Sequence, residues 1–230
     1  MQSCYNKLQM KRVEVGGLGF LIPDINTLIF RLPAIVLALT IHEYAHGRIA
    51  YAFGDPTAKN AGRLTFNPLR HLDVIGTLAM IYFQFGWAKP VPINPYYFQG
   101  NRGQKIMWVS LAGPLSNLAQ ALIISILLSL LQHFVHLGYS FFFNWLLNFL
   151  YYCMVINIVL AVFNLLPIPP LDGSKILAGL LSERHMNIVF ALERYGFIIL
   201  IAMMYFGILS KIINPIVNLA LAGLSRLTGL

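Results

Sequence analysis

Long apolar runs separated by short polar loops make up most of the chain. About 20 consecutive apolar residues in a helix cross the hydrocarbon core of a bilayer, so each longer run predicts a membrane span. In chain order, the predicted spans are Ile25 to Phe53, Ile106 to Leu131, Phe141 to Leu166 and His185 to Lys211. The remaining tail, Ile212 to Leu230, predicts either a short last span or an interfacial helix.

Turn-forming residues indicate where the first predicted span bends and stops. Pro33 removes a backbone donor near the start of the run and predicts a kink there. The sequence Gly54-Asp55-Pro56 predicts the end of the helix. Residues 54–73 are rich in turn formers, and we expect them to form a loop.

The apolar piece from Val74 to Trp87 has about 14 residues, which is short for a span. The residues that follow, Ala88 to Pro95, alternate in character and contain several prolines, which suits an extended edge better than a helix. We therefore predict that 74–98 is a re-entrant segment, either helix or hairpin. A short true span is the alternative.

The composition supports a membrane protein. Hydrophobic residues make up 58% of the chain and charged residues only 10%, with a mean hydropathy of +0.70, whereas soluble domains carry about a quarter charged residues. We predict an all-α polytopic membrane protein with a three-helix core plus one or two C-terminal helices. The predicted divisions are an N-terminal arm at 1–23, a core at 24–182 and C-terminal helices at 183–230.

The formal net charge of +8 is carried mainly by short loops between the spans. Six basic residues lie before or after the apolar piece from Val74 to Trp87: Lys59, Arg63, Arg70, Lys89, Arg102 and Lys105. The positive-inside rule puts them at the cytoplasmic face, and they outnumber the three basic residues of the N-terminal arm. This rule explains the charge without nucleic acid as a partner and makes the lipid bilayer the expected partner.

The sequence His42-Glu43-Tyr44-Ala45-His46 lies inside the first apolar run. In a helix, residues four apart share a face, so the two imidazoles can bind one Zn²⁺ while Glu43 takes a proton from water. The alternative is a helix with two hydrogen-bonded histidines and a solvated glutamate. Ionisable groups at membrane depth mark function by default, which favours the metal site.

A site with two histidines needs a third protein ligand, and Asp172 is the best candidate. It is the first charged residue after a long neutral stretch, and the charge pattern puts it on the same membrane face as His42 and His46. Asp172 could also cap a helix running from Gly173 to Leu181. His71 and Glu183 compete for the ligand role, but each is explained as a surface-loop residue.

Two asparagines in apolar surroundings have two interpretations each. Asn117 is either an interhelical hydrogen-bonding residue, which we favour, or a substrate contact. Asn164 either satisfies backbone groups freed by the prolines after it or hydrogen-bonds a substrate carbonyl or the developing oxyanion.

Four stretches of the chain together resemble the site-2 protease family, the intramembrane zinc metalloproteases of peptidase family M50. They are IHEYAHGRIAYAFGDPTAKNAGRLTFNPLRHLD at 41–73, GWAKPVPINPYYF at 86–98, SLAGPLSN at 110–117 and NLLPIPPLDGSKIL at 164–177. They cover about a third of the chain in the family's order. The resemblance is to the compact bacterial and archaeal type that lacks a PDZ domain.

The resemblance implies an activity and a set of functional residues. It implies one zinc ion per chain held by His42, His46 and Asp172, with Glu43 as general base. By the same resemblance, Asn164 and the segment with Pro90, Val91, Pro92 and Asn94 contact a membrane-protein substrate. The enzyme would lie in a bacterial or archaeal cell membrane with its active site toward the cytoplasm. The alternative is a zinc or metal-ion transporter or a metal-gated membrane protein, since ionisable groups in spans also mark ion pathways.

Overall fold

The computed structural model describes residues 25–83, 86–133, 141–180 and 183–230. Within these ranges the chain is helical, and its only strand-type pairing is a single antiparallel bridge between Leu72 and Ala88. The predicted N-terminal arm at 1–23 lies outside the described residues.

The described residues form eight α-helices, numbered here in chain order. They are α1 (Ile25–Ala52), α2 (Thr57–Asn60), α3 (Val74–Phe83), α4 (Arg102–His133), α5 (Phe141–Asn164), α6 (Asp172–Leu180), α7 (Glu183–Tyr205) and α8 (Ile208–Thr228). Two short 3₁₀ turns span Pro68–Arg70 and Pro95–Tyr97. The stretch 54–73, expected to be a loop, thus contains α2 and one of these turns.

Four helices, α1, α4, α5 and α8, are long and apolar enough to cross a membrane. Helix α4 shows why the solvent around them must be lipid. Its large apolar side chains face outward, with Ile123 65% and Leu130 57% exposed, whereas its polar Asn117 and Ser125 are fully buried. This arrangement is the reverse of a helix in water. The chain is therefore an all-α polytopic integral membrane protein, as the sequence predicts.

Helix α1 contains Pro33 and ends at the predicted Gly54 stop. The N–H of Gly54, which has a φ of 98°, donates to the Tyr51 carbonyl, and the N–H of Asp55 donates to the Ala50 carbonyl. These two bonds form a Schellman motif, which satisfies the last carbonyls of the helix.

The residues immediately before and after helix α3 lie next to each other. The Asp73 carboxylate caps its start by accepting from the N–H of Gly76 at 2.8 Å. After the helix, Ala88 pairs with Leu72, and the N–H of Lys89 donates to the His71 carbonyl. The two ends of this stretch therefore lie side by side, as a re-entrant segment requires.

The helix boundary expected near residue 211 is wrong. The chain breaks earlier, at Gly207, whose φ of 66° suits glycine and separates α7 from α8. Helix α8 then buries Leu209, Ile213, Val217 and Leu221 at four-residue spacing in the main apolar core with α5. Of the two alternatives that the sequence left open for the tail, a last span is favoured, because α8 is long and apolar enough to cross a membrane. Helix α7, predicted as a span from 185 to 211, is not among the described helices that meet this condition.

The core that positions the site consists of α1, α4 and α5, with α6 packed against α4. A second apolar cluster joins α1 to α4 through Ala50, Ile106 and Val109, and it includes Phe98 from the turn before α4. The three predicted core spans are thus mutual neighbours.

Polar side chains hold the extended segment 88–94 against this core. Arg63, which is buried, donates from Nη2 to the Lys89 carbonyl at 2.6 Å. Asp55, which is fully buried, accepts from the N–H of Asn94 at 2.7 Å through one oxygen, and from the N–H and hydroxyl of Thr57 through the other. The segment is fixed at both ends by charged groups.

We expect Asp55→Ala to lower the free energy of unfolding by about 2 kcal/mol or more, because each buried donor left without a partner costs about 1–3 kcal/mol. Thermal unfolding of the purified protein in detergent measures the change. Asp73→Ala is the control, since Asp73 only caps α3 and its loss costs about 1 kcal/mol. Equal melting temperatures for the two variants would contradict the anchoring role of Asp55.

Candidate metal centre

Helix α1 places His42 and His46 on one face, and α6 brings Asp172 to meet them. The Nε2 atoms of the two histidines are 3.0 Å apart. The Oδ2 atom of Asp172 lies 3.1 Å from Nε2 of His42 and 3.2 Å from Nε2 of His46. Among the described residues this is the cluster of His, Cys, Asp or Glu side chains that could hold a metal ion.

The second nitrogen of each imidazole faces an oxygen atom of α4. Nδ1 of His42 lies 2.6 Å from Oδ1 of Asn117, and Nδ1 of His46 lies 2.6 Å from the Val109 carbonyl oxygen. An amide or peptide oxygen can only accept, so both Nδ1 atoms carry the proton and donate. Each Nε2 then presents a lone pair to the other and to Asp172, and such an orientation by an outer oxygen is typical of metal-binding histidines.

The three converging atoms fit a zinc ion. All are electron-pair donors within 3.2 Å of one another, so they repel unless a cation or a proton lies among them. In a tetrahedral zinc site with bonds of about 2.0 Å, neighbouring ligand atoms are about 3.3 Å apart. Two imidazoles and one carboxylate are also a common ligand set of catalytic zinc.

Gly113 of α4 leaves the space that the imidazoles occupy. A Cβ atom on this residue would lie 2.5 Å from Nε2 of His46 and 2.6 Å from Nε2 of His42, closer than van der Waals contact allows. The structure shows that the close neighbours are the ring atoms of the metal centre.

Asp172 reaches the site because the chain turns sharply after α5. The N–H groups of Ile168 and Leu171 donate to the carbonyls of Leu166 and Ile168, and α6 starts at Asp172. Burial raises the pKa of the Asp172 carboxyl, but the neighbouring His46 and His42 side chains together lower it by a larger amount, so the pKa lies below its usual range. An ion pair joins helix α6 to α7, with Nζ of Lys175 3.5 Å from Oε1 of Glu193.

Glu43 is the next residue after His42 in the sequence, and it is half-buried. Its Oε2 atom accepts a hydrogen bond of 2.8 Å from the N–H of Val91. In the sequence Pro90-Val91-Pro92 only the central residue has an N–H group, and that group is directed at Glu43. The carboxylate is therefore held against the extended segment.

The other residues expected to contact substrate differ in their surroundings. Pro90 is exposed, Pro92 is half-buried and the Val91 side chain is buried. The side-chain oxygen of Asn94 accepts from the N–H of Tyr96 and caps the 3₁₀ turn there. Asn164 donates from Nδ2 to the Leu160 carbonyl at 3.0 Å, which is a bond within its own helix.

Of the competing ligands, His71 is not part of the cluster. Its Nε2 contacts the Thr65 carbonyl oxygen at 2.8 Å, within its own loop. The Glu183 side chain lies outside the described side chains.

The interhelical hydrogen bond favoured for Asn117 is present, but the residues that it joins were not predicted. Asn117 is fully buried, and it bonds across helices to Asn157 of α5 at 2.8 Å and directly to His42. The sequence signal for these contacts was an amide side chain within an apolar span, because a polar group inside a membrane usually has a polar partner.

Comparisons with known proteins identify relatives of the chain. A model of the family described as peptidase family M50 matches residues 135–207. The "Putative zinc metalloprotease YwhC" of Bacillus subtilis (strain 168) is 37% identical over 199 residues, which are 86% of this chain and 90% of that protein.

Two further relatives bear the same description in their names. Rip2 of Mycolicibacterium smegmatis is 30% identical over 74% of this chain and 64% of its own length. MJ0611 of Methanocaldococcus jannaschii is 29% identical over 72% of this chain and 80% of its own length. No solved structure matches the chain significantly. Relatives named as proteases, together with a cluster suited to zinc, favour the protease over the transporter: the chain belongs to peptidase family M50, the site-2 protease family, and is an integral membrane zinc metalloprotease.

Proposed function

We propose that the protein hydrolyses peptide bonds in or beside the transmembrane segments of membrane-protein substrates. In this proposal His42, His46 and Asp172 hold one zinc ion and Glu43 is the general base. The observation that carries the proposal is the triangle of Nε2, Nε2 and Oδ2 atoms, with edges of 3.0–3.2 Å, in which both imidazoles are held with their lone pairs inward.

The bound zinc ion would supply Lewis-acid chemistry, activating water and polarising the scissile carbonyl. Glu43 follows His42 directly on α1, which is the position of the general base in the H-E-x-x-H pattern. It takes the proton of the attacking water and returns it to the leaving amine. The hydrogen bond from Val91 orients the carboxylate for both transfers.

The extended segment 88–94 is the proposed substrate-binding edge. A helical substrate hides its carbonyls in hydrogen bonds within the helix, so it must unwind before hydrolysis. An extended edge can pair with an unwound strand through backbone groups. The segment is suited to this role because Arg63 and Asp55 fix its position, and Glu43 joins it to the metal centre.

The active site is proposed to face the cytoplasm of a bacterial or archaeal cell. His42 and His46 lie in the second half of α1, toward the end that leads into the loop with Lys59, Arg63 and Arg70. Loops rich in basic residues stay on the cytoplasmic side. A site near that end is also accessible to the water that hydrolysis consumes.

We expect Glu43→Gln to retain zinc and to lose about 100- to 10,000-fold in the rate of peptide hydrolysis, the usual contribution of a general base. The glutamine keeps an oxygen to accept from Val91 but cannot take a proton. Zinc-to-protein ratio and cleavage of a model transmembrane substrate in detergent or nanodiscs measure the two effects. Cleavage at the wild-type rate would rule out Glu43 as the base.

We expect Gly113→Ala to weaken zinc binding at least about tenfold, because the added methyl group overlaps both imidazoles. Gly223→Ala is the matched control, since a Cβ there meets nothing within 4 Å and alanine stabilises a helix by about 0.4–1 kcal/mol relative to glycine. Competition with a chromophoric chelator measures the affinity. Equal affinity in the two variants would mean that zinc binds elsewhere.

We expect Val91→Pro to lower kcat about tenfold or more while zinc content is unchanged, because proline removes the N–H that orients Glu43. Val91→Ala keeps that N–H and removes only the side chain, so its kcat should remain near wild type. Single-turnover cleavage of the model substrate measures both. A larger loss in the alanine variant would show that the side chain, and not the hydrogen bond, is what matters.

A further inference from the structure

A continuous chain of buried amides runs from α5 to the metal centre. Asn157 is 2% exposed and Asn117 is fully buried, both in apolar helices. Asn157 donates from Nδ2 to the Cys153 carbonyl at 2.9 Å, Asn117 donates from Nδ2 to Oδ1 of Asn157 at 2.8 Å, and Oδ1 of Asn117 faces Nδ1 of His42 at 2.6 Å.

The direction of this chain is fixed by its far end. The Cys153 carbonyl can only accept, so Asn157 must turn its NH₂ group toward it and its oxygen toward Asn117. Asn117 must then present its own NH₂ group to Asn157, and the same group also donates to the Ala38 carbonyl at 3.4 Å. Its oxygen is left for His42, which can meet it only with a protonated Nδ1.

The reverse orientation is strongly disfavoured. If the Asn117 amide turned over, its oxygen would face the oxygen of Asn157 and the carbonyl of Ala38 in a buried site with no donor among them. His42 would then meet an NH₂ group, which favours the tautomer with the proton on Nε2. That tautomer cannot bind a metal ion through Nε2.

We propose that Asn157 is a positioning residue for zinc: through Asn117 it holds His42 with Nδ1 protonated and Nε2 free to bind the ion. This inference rests on the proposed function, in which His42 is a zinc ligand. Asn157 does not contact the metal centre itself, and it lies on a helix that contributes no ligand to the His42, His46 and Asp172 cluster.

The test replaces the amide and measures metal binding by the purified full chain in detergent. We expect Asn157→Leu to weaken zinc binding about 10- to 100-fold, the usual effect of losing an outer hydrogen bond to a metal-binding histidine. Asn157→Asp has the same shape, and burial in an apolar helix favours its neutral acid. Its O–H can then donate to the Cys153 carbonyl while its other oxygen accepts from Asn117, so it should recover most of the affinity. The Co²⁺-loaded protein should show an altered visible spectrum in the leucine variant and a near wild-type spectrum in the aspartate variant.

Asn148→Leu is the matched control. Asn148 lies on the same helix and also donates to a carbonyl four residues earlier, that of Asn144 at 2.8 Å, but it is exposed. We expect this variant to bind zinc as tightly as wild type.

Two results would overturn the inference. One is Asn157→Leu with wild-type zinc affinity and Co²⁺ spectrum, provided that His42→Ala abolishes binding. The other is equal weakening of zinc binding in the leucine and aspartate variants, together with loss of cooperative thermal unfolding of the metal-free protein. That result would make Asn157 a packing residue only. If His42→Ala itself leaves binding unchanged, the proposed function fails instead, so the two failures are distinguishable.

Discussion

The convergence of two imidazole nitrogens and one carboxylate oxygen within 3.2 Å is the constraint on which the rest of the structure depends. Three electron-pair donors held this close in an apolar bundle repel one another strongly, because the low dielectric does not screen them. A cation among them reverses the sign of the interaction. The site therefore favours a divalent ion over an empty cluster, and the surrounding helices must hold the donors against their own repulsion.

That restraint comes from helix α4, although α4 supplies no member of the cluster. Its Asn117 side chain and Val109 carbonyl fix the two imidazoles, and Gly113 leaves the space for their rings. Because Gly113 has no side chain, α4 packs close to α1, and its Asn117 amide and Val109 carbonyl lie against the two imidazoles. The outer contacts thus determine which nitrogen of each imidazole is available, and with it whether the centre can bind metal.

The hydrogen bond between Glu43 and Val91 joins the two functional parts of the protein. Arg63 and Asp55 hold the two ends of the extended segment, at Lys89 and Asn94, and Val91 between them bonds the proposed base. Any substrate strand that pairs with this segment is therefore placed against the carboxylate by rigid backbone contacts. Placement by backbone groups rather than by side-chain pockets would suit the proposed substrates, whose main chain must unwind before hydrolysis.

The sequence by itself determined everything that depends on local periodicity. The spacing of His42 and His46, the apolar runs and the Gly54 stop each follow from a repeat or a turn that short segments encode. For Asp172 the sequence offered a candidate third ligand, and the structure brings it to the histidines. Only the tertiary structure decided that Asn157 meets Asn117 and that Gly113 meets two imidazole rings. It also moved the last helix break to Gly207. These features depend on how whole helices pack against one another, and residues more than a few turns apart carry no periodic signal of their contact.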